Sequence, residues 1–567
     1  MNSIMFDTFV KLSAENSQWI KDFQVKHGRN PRVLHIGNIA NNAYNNAKIL
    51  NSVGIDSDVI CYDYYHIMGC PEWEDADFDA TNLDHFRPDW TTINLGGFKR
   101  QHWFAQGSEE LCLKYLIAKR TGDKKRAKFL WIQLGCANGT VRLRDINSFA
   151  LIFVCWANQV KRILKKFLRE DPMLVVWEKM GVLAARYGAF GFIGMAILAP
   201  IIIIALGLVA SLRRIVLTFK IRWRAKNVAN NFDFENEVTK QVRKFAELFP
   251  ERADKLVDSE LTSYKSTLEN WIKLFANYDI VQGYSTDGIY PLLANIPYFA
   301  FEHGTIRDIP YNATPQGRLT ALTYRCASHV FVTNFDCRQS AEFLASARYT
   351  LINHPYDEDH GMKVDRWEEL QLELKAELES NFLFFFPTRQ DWVTGTGYAD
   401  KANDVFLKAF CQLRAEGYSV GLVCCSWGAN VSESHELIKE LGCDRFVRWV
   451  DPMAILPFER MAKACGCVVD QFMLGAFGGV LFKAMSVGVP VLTYLDEQRL
   501  KEQYEEVPPV INCRTEAEIA GSMRKLIDNP EILISKGQES RAWIKKFHGK
   551  SETINAQVNQ YRLLISA

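Results

Sequence analysis

The residues with the clearest chemical potential gather in Asp470–Val491, DQFMLGAFGGVLFKAMSVGVPV. Gly475, Phe477, Gly478 and Gly479 form a glycine-containing turn, and the apolar residues after it read as a helix opening near Val480. Such a turn presents free backbone N–H groups at the positive end of a helix, where phosphate or carboxylate binds. Lys483 lies one helical turn beyond Gly479 and can only donate hydrogen bonds, so it adds positive charge to that end. A second set is Glu302-His303-Gly304-Thr305-Ile306-Arg307, which follows an apolar strand. A histidine at the carboxyl end of a parallel strand faces the crevice of an α/β sheet. Arg389 and Lys401 bracket a Gly/Thr loop, and Gly37-Asn38 follows the strand RVLHI.

The elements that position these residues alternate between strand and helix. Gly466–Val469 reads as a strand feeding the glycine turn; Gly488 stops the helix and Pro490-Val491-Leu492 begins the next strand. This is a βαβ unit. A second one runs from Arg32–Ile36 through a helix over 43–50, closed by Gly54, to a strand at 58–62. Its first turn lacks the full dinucleotide fingerprint, so Gly37 and Asn38 are candidates for the cleft or for simple turn and cap chemistry. Further strands are expected at 279–284, 298–301, 329–333, 349–352, 382–386, 419–424 and 446–449. Residues 356–380 read as a charged helical linker.

FGGVLFKAMSVGVPVL resembles the donor-site signature of the family 4 glycosyltransferases, retaining enzymes of the two-Rossmann GT-B fold. Phe477, Gly478, Ala484, Met485, Gly488, Pro490 and Val491 match, whereas Gly475 and Lys483 replace the signature's two glutamates. NIANNAYNNAK, PEWEDADF and EHGTIR add a resemblance to one bacterial subset of that family. The resemblance implies an α/β fold of two Rossmann-like domains facing a central cleft. It implies that Arg389 and Lys401 clamp a donor diphosphate and that His303 contacts the sugar or orients the reacting groups. Phe477, Gly478, Gly479, Lys483 and Asp470 then form the donor side, with Gly37, Asn38, Glu302 and Arg307 on the acceptor side or in the cleft. No metal and no cofactor beyond the nucleotide sugar, a co-substrate, is implied. Asp75-Ala76-Asp77 spells the metal-binding motif of a different transferase fold, and the acidic run 70–80 is expected to be a solvated loop.

Composition sets the frame. The chain has 567 residues, 48% hydrophobic and 23% charged, with a net charge of +1, so nothing global points to nucleic acid. The 14 cysteines form no CxxC pair and the N-terminus reads as lacking a signal peptide, which favours a reduced compartment. Ala189–Leu212 holds no charged residue. As a straight helix it would reach about 36 Å, against about 30 Å for a bilayer core. Pro200 interrupts it, basic clusters flank it, and a single crossing would separate strands of one sheet. A re-entrant or hairpin segment on the cytoplasmic membrane face, or a pair of spans, fits better, with Ser148–Trp156 as a second membrane-contacting piece. The bland alternative is a buried core segment.

The expected layout is 1–145 and 231–355 for an acceptor domain, 146–230 for a membrane-associated insertion, 356–380 for the linker, 381–545 for a donor domain and 546–567 for a helix crossing back. The expected function is transfer of a sugar, in hexosyltransferase fashion, from a nucleotide donor to a lipid-linked or polymeric glycan acceptor. The alternatives are an inert membrane scaffold derived from a transferase and a nucleotide-sugar epimerase of the same fold.

Overall fold

The computed structural model of the chain describes residues 10–81, 83–142, 233–393, 400–502 and 504–566. The chain divides into two compact units, Met1–Val141 with Val242–Ala567, and Arg142–Gln241. The expected membrane segments at 148–156 and 189–212 lie outside the described residues. No described helix is long and apolar enough to cross a membrane. Of the second unit, the described part is Arg142 and the stretch from Asp233 that opens the helix Phe234–Leu248.

The larger unit contains two parallel sheets. The first comprises β1 (Arg32–Ile36), β2 (Asp56–Tyr62), β3 (Phe104–Gly107), β4 (Ile280–Tyr284), β5 (Phe299–Glu302), β6 (His329–Val332) and β7 (Tyr349–Leu351). Their spatial order is β3-β2-β1-β4-β5-β6-β7. The second comprises β8 (Phe382–Phe386), β9 (Val420–Cys425), β10 (Val447–Val450), β11 (Gly466–Val469), β12 (Val491–Thr493) and β13 (Ile511–Asn512), in the order β10-β9-β8-β11-β12-β13. Both are doubly wound: the order reverses between β1 and β4 in the first sheet and between β8 and β11 in the second. Crevices open at such reversals, outside the carboxyl ends of the strands.

Burial explains the strand sequences. FLFFF and VGLVCC are apolar throughout because helices cover both faces of the sheet. Phe384 and Phe386 join one core with Phe406 and Phe410, while Leu383 and Phe385 join the opposite core with Phe458 and Met485. In the first sheet Val33, Val59, Phe299 and Phe331 pack with Tyr561 from the last helix, Lys550–Ser566. That helix follows Glu531–Phe547 after a break at His548 and returns to the first sheet, where Gln557 donates to Asn46 Oδ1 at 2.8 Å.

The acidic run at 70–80 departs from the expected solvated loop. Pro71–Asp75 is a short helix in which Glu72, Trp73 and Glu74 are buried. Distant cations compensate the acids: Arg100 donates to both oxygens of Glu72, at 2.9 and 2.6 Å, and Lys48 pairs with Asp75 at 2.6 Å. Asp77 pairs with Arg460 of the second sheet's domain. Both aspartates of the Asp-Ala-Asp triplet thus stand in ion pairs rather than in a solvated loop.

Candidate functional site

The turn after β11 is built so that its backbone is available. Gly478 caps the helix Gly479–Ser486 without any side-chain cap, leaving the first N–H groups to other partners. Gly475 has φ +70°, and a Cβ there would lie 2.9 Å from the Tyr494 ring and 3.0 Å from Asp496. No side chain fits, which gives a physical reason for glycine at the position where the resemblance would place a glutamate. Gly478 adjoins Asp470 and Gln471: a Cβ on it would stand 3.5 Å from Asp470 Oδ2 and 3.8 Å from Gln471 Nε2.

These two residues connect the turn to the cations. Lys401 Nζ donates to Gln471 Oε1 at 2.7 Å, and Thr388 Oγ1 donates to Asp470 Oδ1 at 2.6 Å. Burial lowers the Lys401 pKa; Asp470 opposes that, and Arg389 and Arg307 push it further down. Arg389 stands half-exposed, 3.3 Å from Asp391. Burial raises the Asp470 carboxyl, eased by Thr388 and Lys401. Arg307 belongs to the loop after β5, so the carboxyl edges of the two sheets face each other closely enough for their charges to interact. The loop 394–399 before Lys401 lies outside the described residues.

His303 follows β5 in that cleft. Its Nε2 is buried with no hydrogen-bond partner among the described residues, a cost unless something else satisfies it. Burial lowers its pKa to about 4, so the ring is neutral at pH 7. His354 lies alongside, its Nδ1 3.1 Å from Asn42 Oδ1, its ring centroid 6.1 Å from that of Phe482, and its pKa lowered to about 3 by burial and by His303, Lys483 and Arg307. Lys483 is partly buried; burial lowers its pKa, while Glu74 and Glu459 counter it. It stands toward His354 and these two glutamates rather than within the Arg389–Lys401–Arg307 group.

Four of the expected contacts have partners within the chain. The Phe477 ring stacks on His548 at 4.7 Å and packs on Trp543 at 5.3 Å, which anchors the turn. Asn38 spends its amide on Asn41 Oδ1, Gly69 O and the Tyr44 N–H, so it is a buried turn and cap residue. Glu302 is buried and accepts from the Gly304 and Ile306 N–H groups, shaping the loop that carries His303. The Arg307 guanidinium is held by Asp336. Gly37, with φ +88°, faces the carboxylate of Asp287, which a side chain there would strike. Asp287, Thr388, Gln471 and His354 carry no motif. The signal for Asp287 was its place, three residues beyond the end of β4 in the glycine-flanked turn STDG.

The one cluster with metal-ligand spacing among the described residues is Asp357-Glu358-Asp359. Lys550 Nζ pairs with Asp357 at 2.6 Å and Asp359 at 3.1 Å, and its N–H donates to Glu358. The lysine stands where a cation would.

No family model and no curated protein matches the chain. Among solved structures it is similar to the Anabaena protein HepE in complex with UDP and glucose, at 17% identity over 54% of this chain and 83% of that one, with a TM-score of 0.43. It is also similar to a glycosyltransferase from Rickettsia africae, at 12% identity over 60% and 83% of the two chains, TM-score 0.39. A third is a putative UDP-N-acetylglucosamine 2-epimerase from Listeria monocytogenes, at 16% over 57% and 86%, TM-score 0.38.

Proposed function

We propose that the chain is a glycosyltransferase of GT-B type that moves a sugar from a nucleotide-diphosphate donor to a glycan or lipid-linked hydroxyl. The observation that carries this reading is that Arg389 and Lys401 are both tied to Asp391, and that Lys401 reaches Gln471 beside the uncapped N-terminus of Gly479–Ser486. A diphosphate gains negative charge as its bond to the sugar breaks. A guanidinium, an ammonium and a helix N-terminus are groups that stabilise such a leaving group without a divalent ion. His303, neutral and with a buried unpaired nitrogen, is placed to hydrogen-bond a sugar hydroxyl. Retention of anomeric configuration follows from the family resemblance and, with no nucleophile assigned, implies front-face attack assisted by the leaving phosphate. The uncharged segment 189–212 and its basic flanks would hold the protein on the cytoplasmic face of the cell membrane.

Calorimetric titration with uridine and guanosine diphosphates tests the donor site. Saturable binding of one is expected, and absence of both overturns the reading. The membrane assignment is tested separately. The intact protein should sediment with membranes and need detergent for extraction, and deletion of 189–212 should release it. Solubility without detergent would sink that part alone.

A further inference from the structure

We propose that Asp287 is the acceptor-binding residue of this cleft and that it selects an uncharged, hydroxyl-bearing glycan unit over a phosphate-bearing one. This rests on the glycosyltransferase reading above. Asp287 lies at the reversal point of the first sheet, between the ends of β1 and β4, as Asp470 lies at that of the second. The two carboxylates therefore mark the two crevices that the doubly wound topology opens.

Its geometry leaves one oxygen available. The Tyr62 hydroxyl donates to Oδ1, and Asp287 is partly open to solvent. Oδ2 lies over the α-carbon of Gly37, with no hydrogen-bond partner among the described residues. Glycine at 37 is what allows that approach. Among the described residues no cation compensates the group: its charged neighbour is Glu109, at the start of the helix Glu109–Arg120, and Tyr62, Tyr290, Tyr264 and Cys61 are the other titratable groups around it. Burial pushes the carboxyl up to about 7, opposed by the Tyr62 hydrogen bond and reinforced by Glu109.

Where it is ionised, above about pH 7, a partly buried carboxylate with no cation beside it among the described residues is a receptor for neutral O–H donors, each giving a charge-assisted hydrogen bond. It repels a phosphate, all the more in a low-dielectric crevice shared with Glu109. The opposite bank has the reverse character, with Arg389 and Lys401 placed for a diphosphate. The cleft therefore sorts its two substrates by charge. The anionic end of the donor is drawn to the second domain, and an uncharged sugar to the first.

The test uses the full-length protein with UDP and a panel of methyl glycosides of glucose, galactose and mannose, each with its 6-phosphate. Saturation-transfer NMR should detect at least one uncharged glycoside and bind its phosphate about tenfold more weakly or worse. Asp287→Asn keeps the shape and a partner for Tyr62. It should weaken the uncharged glycoside about tenfold, narrow the discrimination against the phosphate, and leave UDP binding unchanged. Tyr62→Phe, which spares the free oxygen, should keep glycoside binding. Silence of the whole glycoside panel on UDP-loaded protein, parental glycoside binding by Asp287→Asn, tighter binding of the 6-phosphates by the unaltered protein, or joint loss of UDP and glycoside binding by Asp287→Asn would each overturn the assignment while the donor reading stands. Failure of the unaltered protein to bind UDP or GDP would overturn the donor reading and this inference with it.

Discussion

Arg389 offers the sharpest residue-scale test because its side chain is 45% exposed and its ion pair with Asp391 is at the surface. Such pairs contribute little to stability. Arg389→Ala should therefore leave the unfolding temperature nearly unchanged. In a transfer assay it should cost about 2–4 kcal/mol of transition-state stabilisation, as loss of one contact to a developing anion does. Lys483 is different, being partly buried with Glu74 and Glu459 around it. Lys483→Glu would gather a third carboxylate there, and the unfolding temperature should fall. An unchanged unfolding temperature would mean that the lysine does not compensate the two glutamates. The sequence made the glycines, Arg389 and His303 visible because each sits at the end of an apolar strand. It hid Asp287, whose partner Gly37 is brought beside it only when β1 and β4 pair. It also misread Glu72 and Asp75 as solvated, since their cations Arg100 and Lys48 are distant in the chain.

At the scale of elements, the βαβ unit around Gly479–Ser486 was legible to within a residue, because glycines at both ends leave few alternatives. The last helix, Lys550–Ser566, was legible as a helix, but its packing face was not. Tyr561 is fully buried there, its ring 5.1 Å from Phe299 and 6.2 Å from Phe331, and its hydroxyl donates to Gln282 Oε1 at 2.7 Å. Tyr561→Ala removes an aromatic ring packed over the paired strands β5 and β6 and should cost about 3–5 kcal/mol. Hydrogen exchange across β5 and β6 would register that loss. Unchanged protection there would show that the helix merely lies on the sheet.

For the whole molecule, charged contacts join the domains of the two sheets. His360, in the linker, stands with Nδ1 3.0 Å from Glu459 and Nε2 3.4 Å from Asp75. Burial opposes its protonation, but the Glu459 and Asp75 carboxylates raise its pKa to about 10. An unfolded histidine titrates near 6.5. The stabilisation is therefore complete below about pH 6.5 and fades as pH rises through 10. Thermal unfolding should weaken over that window, and His360→Gln should flatten the slope. A parallel pH profile for the variant would assign the dependence to other groups.

Lys550 has a mechanical consequence. The chain passes between the domains twice, near 353–366 and near 547–550, and Lys550 binds Asp357, Glu358 and Asp359 of the first passage from its place on the second. Asn353 adds a hydrogen bond to the Phe547 carbonyl. Two strands stitched side by side act as the spine of a book. They let the covers part about one axis and resist sliding or twisting. Each opening would then end in the same registry, with the side that carries Arg389 and Lys401 and the side that carries Asp287 meeting where they met before.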